Sequence, residues 1–127
     1  MKHIALLTCV CGLMLLGSCK NQSAQNEQPL EVMTFNVRLD APSDSANNWK
    51  YRKDNVCQMI SYYQPDLLGM QEVRHNQMED LKQGLPQYTA LGVGRDDGKE
   101  AGEYCPIFFN SHRFILVEYG NFSLSEQ

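Results

Sequence analysis

The 127-residue sequence lacks an excess of positive charge: 11 Lys and Arg stand against 15 Asp and Glu, for a formal net charge of −4. Proteins that grip long nucleic acids carry a cationic footprint, because neutralising phosphates supplies most of their non-specific affinity. Its absence disfavours a long nucleic acid and favours a small or local ligand. Histidine is scarce, at three residues, and the five cysteines show no metal-site spacing, which argues against a cysteine-built metal centre. Hydrophobic runs long enough to cross a bilayer are missing too. The longest, Ile4 to Leu16, would rise only about 20 Å as a helix, short of a hydrocarbon core of roughly 30 Å. No internal repeat is present.

What stands at the amino terminus has the grammar of an export signal: the positive start Met1-Lys2-His3, then the apolar run, then Leu16-Gly17-Ser18-Cys19. The last four residues resemble the bacterial lipobox, in which small residues precede a cysteine that is acylated and becomes residue one after cleavage. The resemblance implies a signal peptide over residues 1–18, lipidation at Cys19, and a lipid-anchored protein of the bacterial cell envelope, on the periplasmic or outer-membrane side, with the membrane as a partner. The alternative is a buried amino-terminal helix with a chance cysteine. Residues 20 to 28 speak against it, since their Asn, Gln and Ser make residues 19–28 a flexible tether. Removing residues 1 to 18 from 127 leaves 109, enough for one small domain over residues 29–127. Cys9 and Cys11 leave with the signal. A Cys57–Cys105 disulfide is permitted in an exported protein, but with one cysteine in an expected helix and the other in a strand, two small buried thiols are expected.

Leu30 to Phe35 is short, apolar and rich in strand formers, and reads as a buried strand ending at Asn36. Residues 40 to 48 read as a loop, with Asn47 or Asn48 as the N-cap of a following helix. In that helix Trp49, Val56, Met59, Ile60 and Tyr63 share one face, while Lys50, Lys53, Asp54 and Gln58 point away, and Pro65 ends it. Asp66 to Gln71 is a second buried strand that delivers Glu72 at its carboxyl end. Residues 74 to 83 form a short helix closed by Gly84 and Pro86. The β-rich runs Tyr88 to Gly94, Tyr104 to Phe109 and Arg113 to Phe122 read as antiparallel strands, separated by the polar loop 95–103 and by Asn110-Ser111-His112. An α/β layer structure with a mixed sheet follows.

Asn36 and Glu72 sit just past the carboxyl ends of two apolar strands, where ligand sites in open α/β sheets form. Magnesium takes octahedral oxygen ligands and keeps several waters, so one carboxylate and one amide oxygen are a chemically reasonable protein share. On pattern alone, a Glu after a strand is more often a helix cap or a surface carboxylate.

Four blocks change that reading: Thr34-Phe35-Asn36-Val37-Arg38, Pro65-Asp66-Leu67-Leu68-Gly69-Met70-Gln71-Glu72-Val73, Gly92-Val93-Gly94-Arg95-Asp96-Asp97-Gly98 and Gly102-Glu103-Tyr104-Cys105-Pro106-Ile107-Phe108-Phe109. In this order they resemble the endonuclease/exonuclease/phosphatase superfamily, the deoxyribonuclease-I-like enzymes, over residues 30 to 127. That stretch corresponds to the first half of the domain as the superfamily usually has it. The resemblance implies a four-layer sandwich of two mixed β-sheets flanked by helices, here partial, and metal-dependent hydrolysis of a phosphodiester or phosphomonoester with Mg2+ (or Mn2+) as cofactor. It implies that Glu72 is the metal-binding carboxylate and that Asn36 orients metal-bound water or phosphate. Glu103 corresponds to a carboxylate that orients a catalytic histidine in related nucleases, or is a solvated turn residue. Arg74 resembles a position that contacts the nucleic-acid backbone in some members, or is an exposed helix-start arginine. Arg95 could contact substrate phosphate, or simply belong to a hairpin tip. His75 and His112 show no partner pattern and read as surface histidines.

The family's mechanism also needs a histidine and an aspartate carried in later Asp-x-Asn and Ser-Asp-His blocks, and neither block occurs in these 127 residues. The expectation is therefore a truncated, inactive or weakly active phosphoesterase. The alternative is a non-catalytic surface lipoprotein that uses the half-fold as a binding or structural module.

Overall fold

A computed structural model describes residues 28–122. The expected signal, Cys19 and nearly all of the tether lie outside the described residues. The elements run β1 (Val32–Asn36), a 3₁₀ segment (Pro42–Asn47), α1 (Trp49–Tyr63), β2 (Leu67–Gln71), α2 (His75–Gly84), β3 (Tyr88–Leu91) and β4 (Ile107–Asn110). They build a four-stranded sheet of order β1-β2-β4-β3. β1 and β2 are parallel, joined through α1, while β2–β4 and β3–β4 are antiparallel. The mixed α/β architecture thus agrees with the sequence reading. No helix among the described residues is long and apolar enough to cross a membrane.

Strand register explains where the core lies. Met33 pairs with Leu68, Leu68 with Phe108, and Phe108 with Ala90, so one apolar row crosses all four strands on a single face. Alternation along each strand keeps that face consistent. Leu68 and Phe108 are completely buried, and Met33 and Ala90 are partly so. Against them pack Trp49, Val56 and Ile60 of α1 and Met78 and Leu81 of α2. Each fully buried large apolar side chain contributes roughly 1.5 to 3 kcal/mol. On the opposite face Val32, Thr34 and Ile107 are exposed, while Phe109 is buried.

α1 starts as expected. The Asn48 side chain accepts from the Lys50 N–H, satisfying one of the orphan donors at the helix start. Its far end departs from expectation: Tyr63 lies outside the core face and is 58% exposed. It meets Tyr62 edge to face at 5.1 Å. Gln64, in a left-handed conformation, then turns the chain towards β2.

The carboxyl-terminal third needs three further corrections. β3 stops at Leu91, and the run from Tyr104 is strand only over Ile107–Asn110, with Tyr104 held by an isolated bridge to Val73. The run from Arg113 to Phe122 forms no strand. A turn at residues 111–113 leads out of β4, and the Arg113 guanidinium turns back onto the buried Asp66 carboxylate. Beyond it Ile115, Val117 and Phe122 are exposed with no neighbouring strand among the described residues. β propensity reports side-chain packing against neighbours, and here there are none. The thiols differ from expectation as well: Cys57 and Cys105 are both free, Cys57 is half-buried, and Cys105 is exposed.

Candidate active site

The parallel register of β1 and β2 pairs Asn36 with Gln71, so Glu72 emerges one residue beyond the end of β2 and beside Asn36. Asn36 Nδ2 donates to Glu72 Oε1 at 2.7 Å, and the Leu39 N–H donates to Glu72 Oε2 at 3.2 Å. Asn36 Oδ1 accepts from the Arg38 N–H at 2.8 Å, an Asx turn that bends the chain just past β1. The two residues read from sequence as the metal carboxylate and its amide neighbour are therefore brought together, by strand register and one tight turn.

Both sides of this pair are held in unusual backbone. Arg38 and Glu72 each have a φ of 60°, in the left-handed region that side chains other than glycine and asparagine rarely enter. Such a conformation costs on the order of 1 kcal/mol or more per residue and persists only where surrounding contacts enforce it.

Glu72 is held ionised. The Asn36 amide and then the Leu39 N–H keep its carboxyl below the ordinary carboxylate range, with Arg38 contributing a smaller favourable charge effect. A depressed folded-state pKa contributes stability that is present above the ordinary range and lost as pH falls through the folded value. Asn36→Ala is accordingly expected to move the Glu72 midpoint up towards the ordinary range. The side-chain carboxyl carbon, followed by NMR through an acid titration, reads this directly; an unmoved midpoint would show that the amide does not hold the carboxylate.

Two further residues line the same depression, a hollow of about 490 Å3 bordered by Asn36, Arg38, Leu39, Ala41, Asp44 and Glu72. The Arg38 guanidinium grips Asp44 with two parallel bonds of 2.7 and 2.6 Å. Through this bond Asp44 raises the pKa of Arg38, and Arg38 lowers that of Asp44. Sequence reasoning missed the pair, although Arg38 lies inside the first block. The signal that could have found it was an arginine and an aspartate six residues apart across a Pro-Ser turn.

The remaining candidates fall elsewhere around the rim. Arg74 sits at the start of α2, half-exposed, and no carboxylate pairs with its guanidinium among the described residues. Glu103 and Arg95 meet each other at 3.3 Å, and Arg95 also approaches Asp96 at 3.5 Å. No histidine among the described residues bonds to Glu103. His75 is not the partnerless surface histidine expected: its Nδ1 is 3.1 Å from the Tyr104 hydroxyl and its Nε2 is 3.8 Å from Glu100. His112 is exposed as expected.

No group of three or more His, Cys, Asp or Glu able to hold a metal occurs among the described residues. What they offer is one ionised carboxylate supported by an amide. That donor set suits a hard cation that keeps most of its own water, such as Mg2+, and does not suit a closed all-protein cage.

Residues 33–122 match the Endonuclease/Exonuclease/phosphatase family. Among solved structures, the chain resembles the endonuclease/exonuclease/phosphatase from Bacteroides vulgatus, with 58% identity and a TM-score of 0.65 over 65% of this chain and 32% of that one. It also resembles the mannosyl-6-phosphatase of Bacteroides thetaiotaomicron, with 41% identity and a TM-score of 0.69 over 72% of this chain and 35% of that one. Human nocturnin is 29% identical over 118 residues, 76% of this chain and 27% of that protein. The chain thus spans about a third or less of the length of these relatives.

Proposed function

The chain belongs to the endonuclease/exonuclease/phosphatase family, and from that premise we propose that it supplies one wall of a divalent-metal phosphoesterase site whose substrate is a small phosphomonoester, a sugar phosphate in particular. The observation that carries this reading is the Asn36–Glu72–Leu39 arrangement, which presents an ionised, oriented carboxylate at the carboxyl edge of the sheet. Glu72 would hold Mg2+ or Mn2+, and the metal, when bound, would polarise the phosphoryl oxygen and stabilise the leaving group. Asn36 and the Leu39 N–H keep the carboxylate oxygens aimed. What favours Arg74 over Arg95 for the substrate phosphate is that Arg95 is engaged by Glu103 and Asp96. Within this chain Glu103 holds Arg95, and the histidine that the family resemblance pairs with it would come from the Ser-Asp-His block outside these residues.

Two observations favour a sugar phosphate over RNA. The net charge of −4 gives no footprint for a long polyanion. The mannosyl-6-phosphatase is more similar to this chain than nocturnin is, at 41% against 29% identity.

Water attack on phosphorus also needs a proton acceptor and a transition-state donor. We assign both to residues outside the 127, because neither family block that carries them is present. The test begins with the coding DNA after Gln127, read in all frames for Asp-x-Asn and Ser-Asp-His. The protein so encoded is expected to release phosphate from mannose 6-phosphate, with Mg2+, at a kcat/KM at least about tenfold above that for a short oligoribonucleotide, the margin a pocket contact provides. Preference for the oligoribonucleotide would sink the substrate assignment. Clear turnover by the 127-residue chain alone would sink the assignment of the missing groups. No continuation and no turnover would leave a binding module.

A further inference from the structure

Gln77 is completely buried in the first turn of α2, in a position where an apolar residue would serve packing at least as well. Buried amides are uncommon and are retained where their hydrogen bonds are needed. Its side chain makes three. Nε2 donates to the Arg38 carbonyl at 3.0 Å, while Oε1 accepts from the Asp40 N–H and from the Arg74 N–H, both at 3.0 Å.

Those three partners have a pattern. Arg38 and Glu72 are the two left-handed residues flanking the site, and Asp40 and Arg74 stand two residues after each. One amide therefore ties the loop leaving β1 to the loop leaving β2, across the two corners whose backbone is strained. Arg52 supports the first loop from the other side, donating to the carbonyls of Val37 at 2.9 Å and Arg38 at 3.2 Å. The Arg38 carbonyl is thus held by two side chains.

We propose that Gln77 is a positioning residue for the metal site: by joining the two left-handed corners it fixes the separation of Asn36 and Glu72 and the direction in which Glu72 faces. This rests on the reading of Glu72 as the metal carboxylate. Residues that orient a metal ligand typically cost 10- to 100-fold in metal affinity or activity when removed, and Gln77 does so through backbone that otherwise has reason to relax.

The test uses Mn2+ alone as probe, titrated into the full chain and followed by electron paramagnetic resonance, with the melting temperature measured beside it. Gln77→Leu, which keeps the bulk and removes all three bonds, is expected to raise the Mn2+ dissociation constant at least about tenfold. Gln77→Met keeps an unbranched side chain of similar length and also removes all three bonds without placing a charge in the core, so it is expected to match Gln77→Leu and provides the same readout if Gln77→Leu does not fold. Tyr88→Phe is the matched control, because it deletes another buried hydrogen bond, the one from Tyr88 to the Pro65 carbonyl, away from the site. It should lower the melting temperature and leave Mn2+ affinity unchanged. A purely structural Gln77 would behave like Tyr88→Phe, and that result would overturn the inference while Glu72→Gln still lost the metal. Unchanged Mn2+ binding in Glu72→Gln would overturn the metal reading and this inference with it.

Discussion

Glu72→Gln is expected to abolish Mn2+ binding by the chain, with the dissociation constant rising at least about a hundredfold, since several kcal/mol of metal–carboxylate attraction disappear and every 1.4 kcal/mol is a factor of ten. The change conserves shape. Glutamine has a single accepting oxygen, so it keeps one of the two bonds, from Asn36 at 2.7 Å or from the Leu39 N–H at 3.2 Å, and turns its NH2 towards the other donor. What is lost is the negative charge and one of these bonds, so an unchanged melting temperature beside the fall in affinity is what separates loss of charge from collapse of the corner. In a form of the protein that turns over substrate, metal-dependent phosphate release should fall by two orders of magnitude or more. Retained Mn2+ affinity would remove Glu72 from the metal site and leave the family membership, which rests on the match over residues 33–122, untouched.

Phe108→Ala is expected to cost roughly 3 to 5 kcal/mol, the range for truncating a fully buried aromatic ring. Phe108 pairs with Leu68 on one side and Ala90 on the other, and is completely buried, so the cavity opens beneath the middle of the sheet where neither helix can easily collapse into it. In a small domain such a loss lowers the melting temperature by roughly 15 to 30 °C. Thermal unfolding followed by circular dichroism checks it, and a shift of only a few degrees would show that the row of residues across the sheet is not the centre of stability. The same substitution does not touch the Asn36–Glu72 pair, so Mn2+ affinity of the folded fraction should persist.

The part of the site that the sequence discloses is the part built from strand ends. Asn36 and Glu72 follow apolar runs of strand length, and parallel pairing of those runs is enough to bring the two residues together. Arg38–Asp44 and Gln77 were hidden for different reasons. The ion pair depends on a 3₁₀ turn with Ser45 at a φ of 49°, a shape that composition does not encode. Gln77 breaks the apolar pattern of its helix, and a polar residue in a first turn reads as surface until the loops it binds are placed above it. Tyr63 and the run from Ile115 to Phe122 erred in the opposite direction. Their residue types suit burial, but burial needs a partner surface, and periodicity along one segment carries no information about what lies opposite.

The left-handed corner at Glu72 sets thermal robustness against chemistry at a single position. Glycine is the residue such backbone accepts without steric cost, and it is also the residue that brings no side chain to a cation. Selection for a higher melting temperature alone would set that steric relief against the two bonds the carboxylate receives from Asn36 and Leu39, and would give no weight to the metal that Glu72 is proposed to hold. A variant library sorted only by foldability would be blind to the carboxylate proposed to serve hydrolysis.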